Sequence, residues 1–161
     1  MSESRIEIDL GNQQLNWFGA DGEMVCYPIS SAKNGAGELL DSECTPRGKH
    51  QIEEKIGEGA ATNTVFIGRQ ASGELYSKSL AESQPGRDWI LTRILWLGGL
   101  EPGKNAGGKV DSKTRYIYIH GTPDETEMRT PGSRGCVRMR NNDVIDLFER
   151  VTDGTEVEIF E

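Results

Sequence analysis

Hydrophobic and polar residues alternate at the start of the chain with the two-residue period of half-buried β-strands. Each of the first two apolar segments is followed by a glycine-containing pair that favours a tight turn. The segments cover residues 6–10, 15–18 and 24–29, and the turn pairs are Gly11-Asn12 and Asp21-Gly22. This pattern predicts an antiparallel meander of three strands with one face against a core.

Apolar runs further along the chain predict more strands. They lie at residues 65–67, 89–97, 115–119 and 157–160. The run at 89–97 is long enough for a central strand that is covered on both faces. The glycine-rich segment 98–111 joins this strand to the next one, and a connection of this length is often functional. We interpret it equally well as a flap over a cleft or as a surface hairpin.

One segment near the C-terminus has the pattern of an amphipathic helix. Asn141 or Asn142 is a suitable N-cap residue, and Asp143 follows in the first turn. Apolar residues then recur at intervals of three and four and form one face. They are Val144, Leu147, Phe148 and Val151. The chain is therefore predicted to be mainly β with one or two short helices.

The composition is that of an ordinary folded protein, with 35% hydrophobic and 27% charged residues among 161. We expect a single domain over residues 1–161. The net charge of -8 argues against partners that are nucleic acids or anionic membranes, because both attract basic surfaces. No apolar run approaches the roughly 20 residues that span a bilayer. The oligomeric state is left open.

The N-terminal residues are acidic and lack the basic and apolar regions of a secretory signal peptide. If Met1 is the native start, we expect a cytoplasmic protein. If an export segment was removed from the natural protein, a periplasmic location is the alternative.

The chain has only two histidines and three cysteines, so the candidates for Cys/His chemistry are few. Their spacings form no zinc pattern, and we expect neither a metal nor a cofactor. Cys26 lies in an apolar stretch and is expected to be a buried small hydrophobe. Cys44 is expected in a loop, and His50, on a strand, is expected to have a packing role.

The remaining pair, His120 and Cys136, has surroundings that suit nucleophilic catalysis. Gly135 allows a sharp turn before the cysteine, and the backbone N–H groups of Arg134, Gly135 and Cys136 are candidates for an oxyanion hole. Positive charge on Arg134 and Arg138 is expected to favour the thiolate and to hold a substrate carboxylate. His120, at the expected end of a strand, is the candidate proton acceptor. By spacing alone, an ordinary turn cysteine and an unrelated histidine are equally compatible with the sequence.

Three sequence elements together resemble the L,D-transpeptidase (YkuD-like) family of cysteine enzymes. In that family a strand ends in His-Gly, and Ser-His-Gly-Cys-aliphatic-Arg-Met follows after a variable stretch. The matching elements here are residues 119–122, 133–139 and the Thr-Pro-x-Gly-x-aromatic-x-Ile-like element at 45–52. The resemblance covers essentially the whole chain, and it implies a β-sandwich fold.

The resemblance also implies roles for individual residues. Cys136 corresponds to the nucleophile and His120 to the base, while the backbone carbonyl of Gly121 takes the orienting role of an acidic residue in other triads. Arg138 is implied in shaping the site or binding the peptide. Ser133 is expected to be a turn residue in the substrate site rather than a second nucleophile.

The sequence departs from the family pattern at Arg134, where the family has a second histidine. Arginine cannot accept a proton, so His120 is the only base expected near the cysteine. The resemblance implies peptidoglycan stem peptides or muropeptides as substrates, cleaved between a diamino acid and terminal D-alanine through a thioester. With no export signal seen, we expect an L,D-carboxypeptidase in peptidoglycan recycling. The alternatives are a periplasmic L,D-transpeptidase that forms 3-3 cross-links and a non-catalytic muropeptide-binding module.

Overall fold

A computed structural model of the protein describes residues 4–161, and the first three residues, including the expected start at Met1, lie outside this range. The described chain contains ten strands, two α-helices and one short 3-10 helix. The strands are β1 (Arg5–Asp9), β2 (Gln14–Phe18), β3 (Met24–Ser30), β4 (Gly48–Ile56), β5 (Thr64–Ile67), β6 (Gln70–Leu75), β7 (Leu91–Gly99), β8 (Tyr118–Thr122), β9 (Val137–Arg140) and β10 (Glu156–Phe160). The helices are α1 (Lys78–Ser83), α2 (Asn141–Arg150) and the 3-10 helix Gly108–Val110.

Eight strands form a barrel in the order β4-β10-β1-β2-β3-β9-β8-β7, and β7 pairs back onto β4. The predicted meander β1-β2-β3 is antiparallel, and β8 and β9 are parallel neighbours. The hairpin β5-β6 extends from β7. The mainly β prediction is confirmed, but one sheet closes on itself where two facing sheets of a sandwich were expected. A bulge in the β4-β7 ladder bends the strands toward closure.

The barrel encloses an apolar core to which α2 contributes one face. Val144, Leu147 and Phe148 of this helix are almost fully buried in the same cluster as the inward residues of the strands. The predicted amphipathic helix is therefore confirmed. Within residues 4–161, no helix has the length and apolar character that a membrane crossing requires.

The prediction that an asparagine caps this helix is wrong. The N-cap is Arg140, which makes no side-chain cap hydrogen bond, and Asn141 is the first helical residue. The Asn141 side chain instead accepts a hydrogen bond from Thr92 Oγ1 at 2.7 Å and donates to Asn63 Oδ1 at 3.0 Å. It therefore ties the helix to β7 and to the segment before β5.

The predicted burial of Cys26 is also wrong, and the cause is its position in the alternation of β3. Tyr27 and Ile29 face the core, so the odd-numbered side chains of this strand point inward and Cys26 points to solvent.

The glycine-rich segment 98–111 lies along β4 and does not line the cleft described below. Asn105 is fully buried and donates to the carbonyl oxygens of Arg47 and Lys49, each at 3.0 Å. Its Oδ1 accepts from the Glu101 N–H at 2.9 Å. These three bonds hold the segment against the barrel wall, so the flap interpretation is not supported.

Candidate active site

The parallel pairing of β8 and β9 brings His120 and Cys136 to the same face of the sheet. His120 lies opposite Arg138, and Ile119 lies opposite Val137. Ile119 and Val137 are buried in the barrel core. Because side chains alternate along a strand, the neighbours on either side of these two residues face outward. The predicted strand end at His120 is wrong, because β8 continues to Thr122.

A cleft of about 530 Å³ lies over this outward face and contains both candidate catalytic side chains. Its lining comes from β8, from the turn before β9, from the tip of the β5-β6 hairpin and from the segment before β7. The lining residues are Gly68, Arg69, Asp88, Ile90, Tyr116, Tyr118, His120, Ser133, Arg134 and Cys136.

The turn before Cys136 requires glycine and is held by hydroxyl groups. Gly135 has φ 130°, and a Cβ at this position would lie 3.3 Å from the carbonyl oxygen of Cys44. The buried Thr45 hydroxyl donates to the Gly135 carbonyl at 2.9 Å. Ser133 Oγ donates to the Cys136 carbonyl at 2.5 Å. Thr45, within the element that carried the family resemblance, therefore positions the turn before Cys136.

One of the three N–H groups expected to form the oxyanion hole already donates a hydrogen bond within the protein. The Gly135 N–H donates to Ser133 Oγ at 3.2 Å, so this donor is available to a substrate only if that bond is released. The roles of the Arg134 and Cys136 N–H groups stay predictions.

The thiol of Cys136 rests between two backbone groups. Its Sγ accepts from the Tyr118 N–H at 3.3 Å and donates to the Tyr116 carbonyl at 3.4 Å. Tyr116 has φ 58°, in the left-handed region that a non-glycine residue seldom adopts. Strain of this kind is concentrated at functional sites, and here it accompanies a carbonyl that accepts the thiol proton.

Burial raises the pKa of the Cys136 thiol to about 12, and the Asp88 carboxylate adds to this effect. The Tyr118 N–H and the Arg138 guanidinium act in the opposite direction but do not outweigh burial. Arg138 thus favours the thiolate, as expected, but burial outweighs it and the thiol is the resting form.

His120 is almost fully buried and has a defined tautomer. Its Nδ1 lies 2.6 Å from the Gly121 carbonyl oxygen, and a carbonyl oxygen can only accept. Nδ1 therefore carries the proton, and Nε2 is the basic nitrogen. Burial lowers the pKa of His120 more than the Gly121 carbonyl raises it. The imidazole is neutral near pH 7, as a general base requires.

The second histidine lies inside the protein and makes structural hydrogen bonds. His50 has no solvent exposure, and its ring nitrogens contact the Gly48 carbonyl at 3.0 Å and Ser112 Oγ at 2.8 Å. These bonds join β4 to the segment that precedes β8. The residue is absent from the cleft lining within the described chain.

The two predicted substrate-binding arginines differ in their surroundings. Arg138 pairs with Asp88 at 3.1 Å and donates to the Gly132 carbonyl at 3.0 Å. Its side chain is 19% exposed. Arg134 is exposed, lines the cleft and donates to the Gly86 carbonyl at 3.2 Å. Arg134 is thus the more accessible of the two, while Arg138 is already paired.

Sequence reasoning missed Asp88, Arg69 and the two cleft tyrosines. Asp88 lies in a loop with no strand or helix signal, and only the folded chain brings it to Arg138. Arg69 follows Gly68 at the tip of the β5-β6 hairpin, where both residues have positive φ, 56° and 67°. Two positive φ values define the type I′ turn that matches strand twist. The Gly-Arg pair after the apolar run at 65–67 is the sequence feature that could have predicted this hairpin.

The comparisons with known proteins identify the family of this chain. The family model described as the YkuD L,D-transpeptidase catalytic domain matches residues 3–159. The chain belongs to the L,D-transpeptidase catalytic domain family. A relative within it, the YkuD protein of Bacillus licheniformis, is 46% identical over 156 residues, which is 96% of this chain and 64% of the relative.

Solved L,D-transpeptidase structures share the fold. The enzyme from Mycobacterium smegmatis aligns with a TM-score of 0.59 and 16% identity, over 99% of this chain and 59% of that one. L,D-transpeptidase 3 from Mycobacterium tuberculosis, in complex with a faropenem-derived adduct, aligns with a TM-score of 0.62 and 12% identity, over 99% and 61%. This chain therefore spans less than two thirds of the length of each of these three relatives.

Among residues 4–161, no group of three or more His, Cys, Asp or Glu side chains is arranged to hold a metal ion. The polar side chains that line the cleft are a thiol, an imidazole, a serine hydroxyl, arginines, tyrosines and one carboxylate.

Proposed function

We propose that this protein is a cysteine enzyme that cleaves peptidoglycan tetrapeptides between the diamino acid and terminal D-alanine. The observation that carries the proposal is the shared cleft of Cys136 and His120, with the Gly121 carbonyl fixing Nε2 of the imidazole as the base. Family membership supports the reaction class.

The proposed reaction begins with a neutral thiol. As the substrate carbonyl approaches, the Cys136 proton passes to His120 Nε2 and sulfur bonds to the carbonyl carbon. Backbone N–H groups stabilise the oxyanion. The tetrahedral intermediate expels D-alanine, whose amine takes the proton from His120, and a thioester remains. Water then attacks the thioester, again with His120 as base, and releases the shortened peptide and the thiol.

We further propose water, rather than an amine, as the main acceptor. Arg134, in place of the family's second histidine, lines the cleft as a permanent cation. It cannot remove a proton from an incoming ammonium group, and its charge repels such a group. Water is uncharged, so Arg134 does not repel it, and His120 removes its proton during attack. This argument supports L,D-carboxypeptidase action over the formation of 3-3 cross-links.

Mass spectrometry of a disaccharide-tetrapeptide, incubated with the protein with and without an amine acceptor, tests both parts of the proposal. Loss of D-alanine alone is the expected result. An exchange product or a cross-linked dimer would instead identify a transpeptidase. Cys136→Ala should abolish turnover, whereas Cys26→Ala, at an exposed cysteine on β3, should leave it unchanged.

Covalent trapping separates an enzyme from a non-catalytic binding module. A related structure contains a faropenem-derived adduct, so we expect this penem to form a covalent adduct, seen as an increase in mass, with the wild type and with Cys26→Ala. Cys136→Ala should remain unmodified. Binding of muropeptide without any adduct or turnover would favour the binding module. The cytoplasmic location expected from the sequence stays a prediction, which cell fractionation with an antibody to the protein tests.

A further inference from the structure

We propose that Arg69 forms a carboxylate-binding subsite at one end of the Cys136 cleft, and that it recognises the carboxylate at the far end of a diamino acid side chain. This inference rests on the proposed function, because it names the part of the stem peptide that the same cleft selects.

The Arg69 guanidinium is held in a fixed orientation. Its Cζ lies 4.7 Å from the ring centre of Trp96 and 4.9 Å from that of Tyr116, within the range of cation–π contacts. Its Nη1 donates to the Tyr118 hydroxyl at 3.1 Å. The Trp96 ring is itself anchored, because Nε1 donates to the Lys113 carbonyl at 3.0 Å. A guanidinium held in this way loses little conformational entropy when it binds a ligand.

Arg69 also differs from comparable arginines in its charge balance. Within residues 4–161, no carboxylate lies within 4.0 Å of its guanidinium, and the Glu54 carboxylate acts on it only from beyond that distance, whereas Arg138 pairs with Asp88. Arg87 has a similar stacking contact, 4.3 Å from the Trp89 ring centre, but pairs with Glu74 at 3.1 Å. In a chain with net charge -8, a cation without an ion-pair partner that lines a cleft is suited to an anionic ligand. A planar fork of N–H donors fits a carboxylate.

The position of Arg69 indicates which carboxylate it binds. Tyr118 joins the two ends of the cleft, because its backbone N–H donates to Cys136 Sγ and its hydroxyl accepts from Arg69. The guanidinium is therefore separated from the nucleophile by the length of a tyrosine side chain. The D-alanine carboxylate is too close to the scissile bond to span this separation. The side chain of diaminopimelate, which ends in an amino-carboxylate, has the longer reach.

Calorimetric binding of two uncleavable tripeptides tests this assignment without depending on turnover. One ends in diaminopimelate and the other in lysine, which lacks the far carboxylate. Arg69→Met keeps much of the apolar contact and removes the charge, and Arg69→Lys keeps the charge without the fork. Arg5→Met is the matched control, because Arg5 also stacks on a ring, 4.2 Å from the centre of Phe18, on β1. Thermal unfolding verifies that each variant is folded.

We expect the wild type and Arg5→Met to bind the diaminopimelate peptide at least about tenfold more tightly than the lysine peptide. Arg69→Met should lose this preference, and Arg69→Lys should keep part of it. Equal effects of Arg69→Met on both peptides, or no preference in the wild type, would overturn the assignment. Normal binding selectivity without D-alanine release would instead count against the proposed reaction and leave the subsite supported.

Discussion

The protonation state of Cys136 at rest gives the most direct test of the site. Burial raises its pKa to about 12 from the ordinary 9.0, and burial lowers the pKa of His120. Both shifts favour the neutral pair over thiolate and imidazolium, because a low-dielectric environment disfavours either charge. At pH 7 the thiolate is then a small minority, well below the fraction that an unperturbed thiol would have.

The assay is alkylation by iodoacetamide from pH 6 to pH 11, with each cysteine followed by peptide mass spectrometry. Only the thiolate reacts, so the rate at Cys136 should keep rising about tenfold per pH unit beyond pH 9. Exposed Cys26 supplies a reference rate in the same sample. A plateau at Cys136 below pH 7 would show a preformed thiolate and refute this reasoning.

The same shifts predict the pH dependence of catalysis. His120 acts as a base only when neutral, and its lowered pKa keeps it neutral across the range around pH 7. The acidic limb of kcat/KM should therefore fall below the ordinary histidine pKa of about 6.5. A limb above pH 7 would contradict the burial argument.

Three further predictions concern the groups around the pair. Thr45→Val removes the hydroxyl that binds Gly135 and should lower the free energy of unfolding by about 2 kcal/mol. Thr45→Ser keeps the hydroxyl and should lower it by about 1 kcal/mol, for the loss of one methyl group. Equal losses in urea unfolding would count against the hydroxyl's role. Gly121→Ala would place a Cβ 2.6 Å from a β7 carbonyl oxygen. It should lower the free energy of unfolding by about 1–3 kcal/mol and abolish most turnover. Unchanged unfolding in calorimetry would contradict this prediction. At fixed pH, Asp88→Asn should speed the alkylation of Cys136 and Arg138→Met should slow it, each by up to about tenfold. Rate changes in the opposite directions would show that the two charges do not act on the thiol as the geometry indicates.

Local patterns in the sequence predicted the parts of the fold that depend on local chemistry. The alternation at Ile6 and Ile8 gave β1, and the spacing of Leu147 and Phe148 gave the buried face of α2. The residues from Ser133 to Cys136 predicted the turn before Cys136, because the residues that form that turn are adjacent in the chain.

Features that depend on distant contacts had no such signal. Closure of the barrel requires β4 to pair with β7 as well as β10, and nothing within residues 48–56 specifies two partners. Cys26 illustrates a second difficulty, since a shift of one residue along a strand exchanges its core and solvent faces. The ion pair between Arg138 and Asp88 could not be predicted either, because the two residues are far apart in sequence and meet only after folding.

Because Cys136 and His120 are both neutral at rest, we infer that the thiol is activated only when substrate binds. Arg138 would favour a thiolate if it stood alone, but Asp88 offsets it, and the Tyr116 carbonyl accepts the thiol proton. A rotation of the thiol from that carbonyl toward His120 must therefore precede or accompany attack. If the cleft holds the peptide through a distant carboxylate, as we propose, this rotation is productive only when the scissile carbonyl is in place. We expect the same arrangement to slow the reaction of Cys136 with electrophiles that lack the anchoring group, because at rest the thiolate is scarce.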